Sequence, residues 1–166
     1  MNLKIIKKEV QIFSDGSCLR NPGPGGYGTI LRYYKYEKIL SKGYFLTTNN
    51  RMELIGVIVG LESLRYPCNV IVTTDSNYVC QGGTKWIYLW KKKNWKRSNG
   101  LPVSNIDLWI RMNKIIKKHK IKWNLIKGHS GHLENTFCDK LAKNAANNPS
   151  QEDQKYLEIY LEKNKL

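Results

Sequence analysis

The sequence has no apolar run approaching the length needed to cross a bilayer, so a membrane-spanning chain is not expected. Its opening residues, Met1-Asn2-Leu3-Lys4-Ile5-Ile6-Lys7-Lys8-Glu9, are partly basic but lack a long apolar stretch or a small-residue cleavage site. The expectation is a cytoplasmic protein with no membrane partner. Cysteine is sparse: Cys18, Cys68, Cys80 and Cys138 are scattered and form no C-x-x-C pair. That spacing suits neither a zinc site nor a disulfide framework, and leaves reduced, structural thiols. There is no internal repeat and no linker rich in Pro, Gly or Ser. A single domain over residues 1–150 is therefore expected, with a polar, charged tail over 151–166.

Acidic residues are also few, 13 against 28 Lys and Arg, for a net charge of +15. Such a balance points to a polyanionic partner. Lysine far outnumbers arginine, and Asn, Ile and Tyr are plentiful, as an AT-rich genome would produce by codon drift. Where the charge clusters therefore matters more than its total. With 41% hydrophobic and 25% charged residues, the 166-residue chain has the makeup of a globular protein with a sizeable core.

Val10 to Gly16 alternates apolar and polar residues and predicts a strand, and Asn21-Pro22-Gly23-Pro24-Gly25-Gly26 predicts a turn. Tyr27–Tyr34 and Glu37–Phe45 complete an antiparallel meander. Thr48-Asn49-Asn50 can cap a helix reaching about Arg65, in which Met52, Ile55, Val59 and Leu61 recur at helical spacing. Val70-Ile71-Val72-Thr73-Thr74 reads as a buried strand ending at Asp75. A helix from Ser76, a second and basic one from about Thr84 to Lys92, and a third over Ile106–Lys118 follow. Ile121–Ile126 alternates as a strand, and Glu134–Asn147 forms the final helix. This order predicts an α/β domain built on a mixed sheet.

Four carboxylates hold informative places: Asp15 in the first strand, Glu53 in the first helix, Asp75 ending the fourth strand, Asp139 in the last helix. Taken singly, Asp75 fits a helix cap, Glu53 a residue answering a helix dipole, and Asp139 a solvated helix position. Asp15 is harder to place, because a carboxylate in an apolar strand is costly unless paired, protonated or metal-bound. If the four converge, their repulsion requires protons or cations. Oxygen ligands select Mg²⁺ or Mn²⁺ over zinc, and two such ions about 4 Å apart suit phosphodiester hydrolysis. In the last helix Asn135, Asp139 and Lys143 share one polar face, with Phe137, Leu141 and Ala145 opposite.

Asp15-Gly16-Ser17, Thr47-Thr48-Asn49-Asn50-Arg51-Met52-Glu53-Leu54, Thr74-Asp75-Ser76 and Gly128-His129-Ser130-Gly131-His132, followed by Asn135 and Asp139, resemble type 1 ribonuclease H in order and spacing. The resemblance runs from about Val10 to Pro149. It implies a five-stranded mixed sheet flanked by helices. It also implies a two-Mg²⁺ site made by Asp15, Glu53, Asp75 and Asp139. The activity implied is hydrolysis of the RNA strand of an RNA–DNA hybrid, leaving 5′-phosphate and 3′-hydroxyl ends. His129 is then the loop histidine that assists proton transfer or product release, a task suited to imidazole near neutrality. His132 is read as structural.

Lys85 to Arg97 carries Trp86, Trp90, Lys91, Lys92, Lys93 and Lys96 without one acid. One reading is an amphipathic helix with packed tryptophans and a solvated lysine face. The other is a nucleic-acid grip, with cations and aromatics interleaved. It also resembles the basic protrusion by which many bacterial ribonucleases H hold the DNA strand. Asn21, Asn49 and Asn50 match family positions that read the RNA strand at its 2′-hydroxyls. Asn77 stands where many relatives have Gln, and Lys143 where Arg is common, so those contacts differ from the family pattern. An integrase-type enzyme and a non-catalytic hybrid-binding module are the competing readings. The fourth carboxylate and the His129 loop argue against the first, the retained acidic set against the second. A monomer is expected.

Overall fold

The computed structural model describes residues 9–165, so all but Glu9 of the opening segment behind the localisation expectation lies outside the described residues. The N-terminal alternation forms an antiparallel meander: β1 (Glu9–Cys18), β2 (Gly23–Tyr33) and β3 (Tyr36–Thr47). The β-branched run forms β4 (Asn69–Thr74), parallel to β1, and β5 (Lys120–Leu125) lies parallel to β4. The sheet order is β3-β2-β1-β4-β5, a five-stranded mixed sheet of the expected class. Helices pack on both of its faces. At the β5 edge Lys120, Lys122 and Asn124 point out to solvent. No helix among the described residues is long and apolar enough to cross a membrane.

Helix α1 (Asn49–Glu62) starts at Thr48, whose side chain accepts from the Arg51 N–H at 3.4 Å. It is buried on nearly every side, from Arg51 through Ile58 and again at Gly60 and Leu61. The reason is position: α1 lies between the sheet and α4 (Ile106–Ile116), so no face is left for solvent. Gly56 and Gly60 let it approach β1 and β2 closely, at Ser14, Thr29 and Ile12.

The two helices expected after Ser76 are one continuous path: α2 (Asn77–Gln81), a π-helical turn (Gly82–Trp86), and α3 (Ile87–Lys92). A side chain at Gly82 would collide with the Trp109 ring, and one at Gly83 with Trp123. Bare backbone there lets the helix pass over both rings without breaking.

Helix α5 (Leu133–Asn147) corrects one expectation. Of Phe137, Leu141 and Ala145, Phe137 is 42% exposed, whereas Ala145 faces the sheet with Cys138, Ala142 and Ala146, and the Leu141 β-carbon lies over Gly28. Gly26, Gly28 and Gly43 of β2 and β3 lie directly beneath, at a distance where any β-carbon would strike the α5 backbone or its small side chains. Close seating selects small residues, and Phe137 is too large for it. α5 is also not the last helix. After Ser150 and Gln151 hydrogen-bond to the Gly43 carbonyl at 3.1 Å, α6 (Gln154–Lys163) begins at Asp153, which caps the Tyr156 N–H.

Candidate active site

Three of the four singled-out carboxylates come together where β1 and β4 end beside the first turns of α1. Asp15, Glu53 and Asp75 each place a carboxylate oxygen within 4.8 Å of the other two. Gly16 explains how a strand residue meets a helix residue here: a β-carbon at Gly16 would lie 2.5 Å from the Glu53 backbone nitrogen. The glycine after Asp15 therefore sets the approach of α1 to β1. Asp139 of α5 lines the same cavity of about 220 Å³, together with His129, Asn135 and Thr136. It lies outside the tight cluster and pairs with Lys143 Nζ at 2.7 Å.

The electrostatics follow from this crowding. Burial, then the charges of Asp75 and Asp139, raise the Asp15 carboxyl to about 7, although the Gly16 N–H donates to it at 2.8 Å. Burial, with Asp15 and Asp75 beside it, pushes Glu53 well above the ordinary carboxylate range. Glu53 Oε2 and Asn135 Oδ1 are buried acceptors with no hydrogen-bond partner among the described residues. Unpartnered buried oxygens are expensive, and an all-oxygen donor set with surplus negative charge fits a hard divalent cation. The residues present therefore fit a metal.

The remaining singled-out residues fall into three groups. His129 is exposed on the loop after β5 with φ of 55°, a left-handed conformation that costs an L-residue roughly 1–2 kcal/mol. His132 caps α5, its Nδ1 accepting from the Asn135 N–H at 3.3 Å. Asn21 and Asn49 lie together, with Asn21 Oδ1 accepting from the Asn49 N–H at 3.2 Å, and Asn50 follows, exposed, in the first turn of α1. Asn77 is exposed at the start of α2. Trp86 and Trp90 meet at 5.6 Å with rings tilted by 48°, and with Tyr78 and Trp109 they form a closed cluster of four aromatic rings. Lys91, Lys92, Lys93 and Lys96 stand exposed beyond that cluster.

Sequence reasoning gave no role to two residues of this region, although it named Asn135 in the motif and on the polar face of α5. Asn135 lines the cavity and reaches Asp75 Oδ2 at 3.5 Å; its shared face with Asp139 was the available signal. Arg51, 1% exposed, is tied by paired hydrogen bonds to Asp107 and Asp153. Nothing local to Asp153 announces that partnership.

The family model RNase H matches residues 7–147. Ribonuclease H of Proteus mirabilis strain HI4320 is 58% identical over 158 residues, covering 95% of this chain and 99% of that protein. Ribonuclease HI of Haemophilus influenzae strain KW20 is 57% identical over 153 residues, 92% of this chain and 99% of that protein. Among solved structures, LC9-RNase H1, described as a type 1 RNase H with the type 2 active-site motif, superposes with a TM-score of 0.80 at 32% identity. That superposition covers 89% of this chain and 76% of that one. A match spanning most of the chain, near-complete coverage of such relatives and the same α/β architecture around an acidic cavity place this chain in the ribonuclease H family.

Proposed function

We infer that this enzyme, an endoribonuclease, hydrolyses the RNA strand of RNA–DNA hybrids and leaves 5′-phosphate and 3′-hydroxyl ends. The observation that carries the reading is the Asp15–Glu53–Asp75 cluster, with the unpartnered Glu53 Oε2 inside it. In this reading Asp15, Glu53, Asp75 and Asp139 hold two Mg²⁺ ions, with Mn²⁺ able to substitute. Bound at such a site, these ions supply Lewis acidity and a water of lowered pKa. Asn135 orients Asp75, and Lys143 steadies Asp139 at the rim of the cavity. His129, exposed beside the carboxylates, exchanges a proton with the departing oxygen or eases product release.

Binding is divided by chemistry. Asn21, Asn49, Asn50 and Asn77 offer neutral donors and acceptors that recognise the RNA strand. Lys91, Lys92, Lys93 and Lys96 neutralise phosphates of the DNA strand, and Trp86 and Trp90 stiffen the protrusion from which they project. The enzyme acts as a monomer. Mg²⁺-dependent cleavage should be measured on RNA–DNA, DNA–DNA and RNA–RNA duplexes of one sequence. Cutting confined to the RNA strand of the hybrid is expected. Equal cutting of DNA–DNA would turn the assignment towards an integrase-type nuclease, and binding without cutting would make this a hybrid-binding module.

A further inference from the structure

Asp153 lies beyond the residues that the family model matches, yet it is only 7% exposed and sits in the middle of a polar network. Its Oδ2 accepts from Thr47 Oγ1 at 2.7 Å and from Arg51 Nε at 2.7 Å, and its Oδ1 accepts from Arg51 Nη2 at 2.9 Å. Arg51 completes its fork on Asp107 at 2.9 and 2.7 Å, so the buried guanidinium is satisfied from both sides. The Tyr156 ring lies 5.9 Å from the same guanidinium. One carboxylate thus bonds residues 47 and 51 at once, and what it brackets is Thr48-Asn49-Asn50. Within that bracket Thr48 caps α1 and Asn49 is tied to Asn21. The segment reaching Asp153 is itself stitched to β3, with the Phe45 N–H donating to the Gln151 carbonyl at 3.0 Å.

We propose that Asp153 is a positioning residue for hybrid recognition: it holds the Thr47–Arg51 segment so that Asn49 and Asn50 face the RNA strand. The C-terminal segment is then part of the binding apparatus. This rests on the hybrid-cleaving reading above. A buried two-point bracket fixes backbone direction as well as position, and side chains with as little reach as asparagine depend on both. Glu53 stands two residues past the bracket, within the helix itself, and α1 is held there by packing on all sides. Loosening the bracket should therefore act on binding before it acts on chemistry.

The test is steady-state cleavage of an RNA–DNA hybrid in saturating Mg²⁺, with melting temperature recorded for every variant. Thr47→Val removes one hydrogen bond and leaves the ion pairs in place, so it decides the matter even if Asp153→Asn fails to fold. KM should rise about threefold for Thr47→Val and roughly tenfold for Asp153→Asn, with kcat held within about twofold. Combining Asp153→Asn with Asn49→Ala should raise KM by less than the product of the single effects, because the first acts through the second. A merely structural role would lower kcat through loss of folded enzyme and leave KM alone. An unchanged KM in Thr47→Val, or multiplicative effects in the double variant, would overturn the proposal. Wild-type enzyme that does not cut the hybrid would instead overturn the functional reading on which it rests.

Discussion

Burial and the charges of Asp75 and Asp139 hold the Asp15 carboxyl at about 7, against an ordinary value of 3.8. Between those two pH values the folded, metal-free protein keeps a proton that the unfolded chain has released. Stability must then fall as pH rises from about 4 to 7, and the deficit persists above that. Asp107 behaves oppositely. Burial would raise it, but its hydrogen bonds to Arg51 bring it below its ordinary value, and that contribution is lost only in stronger acid. Comparing wild type with Asp15→Asn isolates the first effect. In EDTA at pH 8 the variant should melt higher, by an amount equivalent to roughly 2–4 kcal/mol, at about 2–4 °C per kcal/mol. At pH 4 the two should melt together. The same substitution should abolish turnover in Mg²⁺ while leaving hybrid binding largely intact. A variant that still cuts within a few fold of wild type would remove Asp15 from the catalytic set. His129→Ala should lose roughly 10²-fold in kcat with little change in KM, and a rate unaltered across neutral pH would sink its role. Asp15 could be read from the sequence because an apolar strand makes an acid costly there, whereas Glu53, Asp75 and Asp139 each fit an ordinary helix role and stand out only through the motifs that resemble ribonuclease H. Arg51 and Asp153 could not, since 102 residues separate them and only the folded chain joins them.

The basic protrusion owes its direction to α2, the π-helical turn and α3 running as one path over Trp109 and Trp123. Sequence periodicity located its residues but split it in two, because a π-turn shifts the repeat by one residue and resembles a break. Replacing Lys91, Lys92 and Lys93 by Ala should weaken hybrid binding and leave maximal turnover unchanged. The slope of log K against log salt should flatten by roughly two. Replacing Lys114, Lys117 and Lys118 gives a control of equal charge, on and just after α4. Equal losses and equal slopes from both triple variants would show that the protrusion has no special part in binding. Phe137 departs from the α5 pattern for a different reason. Hydrophobicity groups it with Leu141 and Ala145, but the glycines of β2 and β3 bring the helix so close that its sheet-facing side is mostly Ala and Cys, and the larger ring is left outside. Gly28→Ala should accordingly destabilise by about 1–3 kcal/mol in chemical denaturation and shift Asp139 relative to the cluster. Full stability and full activity in that variant would show the seat to be looser than described.

The molecule is built around a polar centre left short of positive charge. Any cation held by Asp15, Glu53 and Asp75 binds only the folded form, so it must stabilise that form by mass action. At a Mg²⁺ concentration 100 times its dissociation constant, the gain should be about 3 kcal/mol in wild type and much less in Asp75→Asn. A melting temperature indifferent to Mg²⁺ would argue that the cluster holds no ion. Fold class and the succession of strands and helices follow from patterns that survive without tertiary context, whereas the spatial order of the strands and the seating of α6 depend on partners distant in sequence.

The edges of the sheet carry a last consequence. Along β3, Ser150 and Gln151 occupy backbone groups that would otherwise be free to pair. Among the described residues nothing pairs in this way with β5, and there Lys120 and Lys122 stand exposed on the outermost strand. Charge on an uncovered edge discourages two chains from joining their sheets, so part of the lysine surplus guards colloidal solubility and has no need of a nucleic acid. Lys120→Val with Lys122→Val should leave hybrid cleavage by the dilute enzyme intact, yet make the protein self-associate as its concentration rises, as light scattering would report.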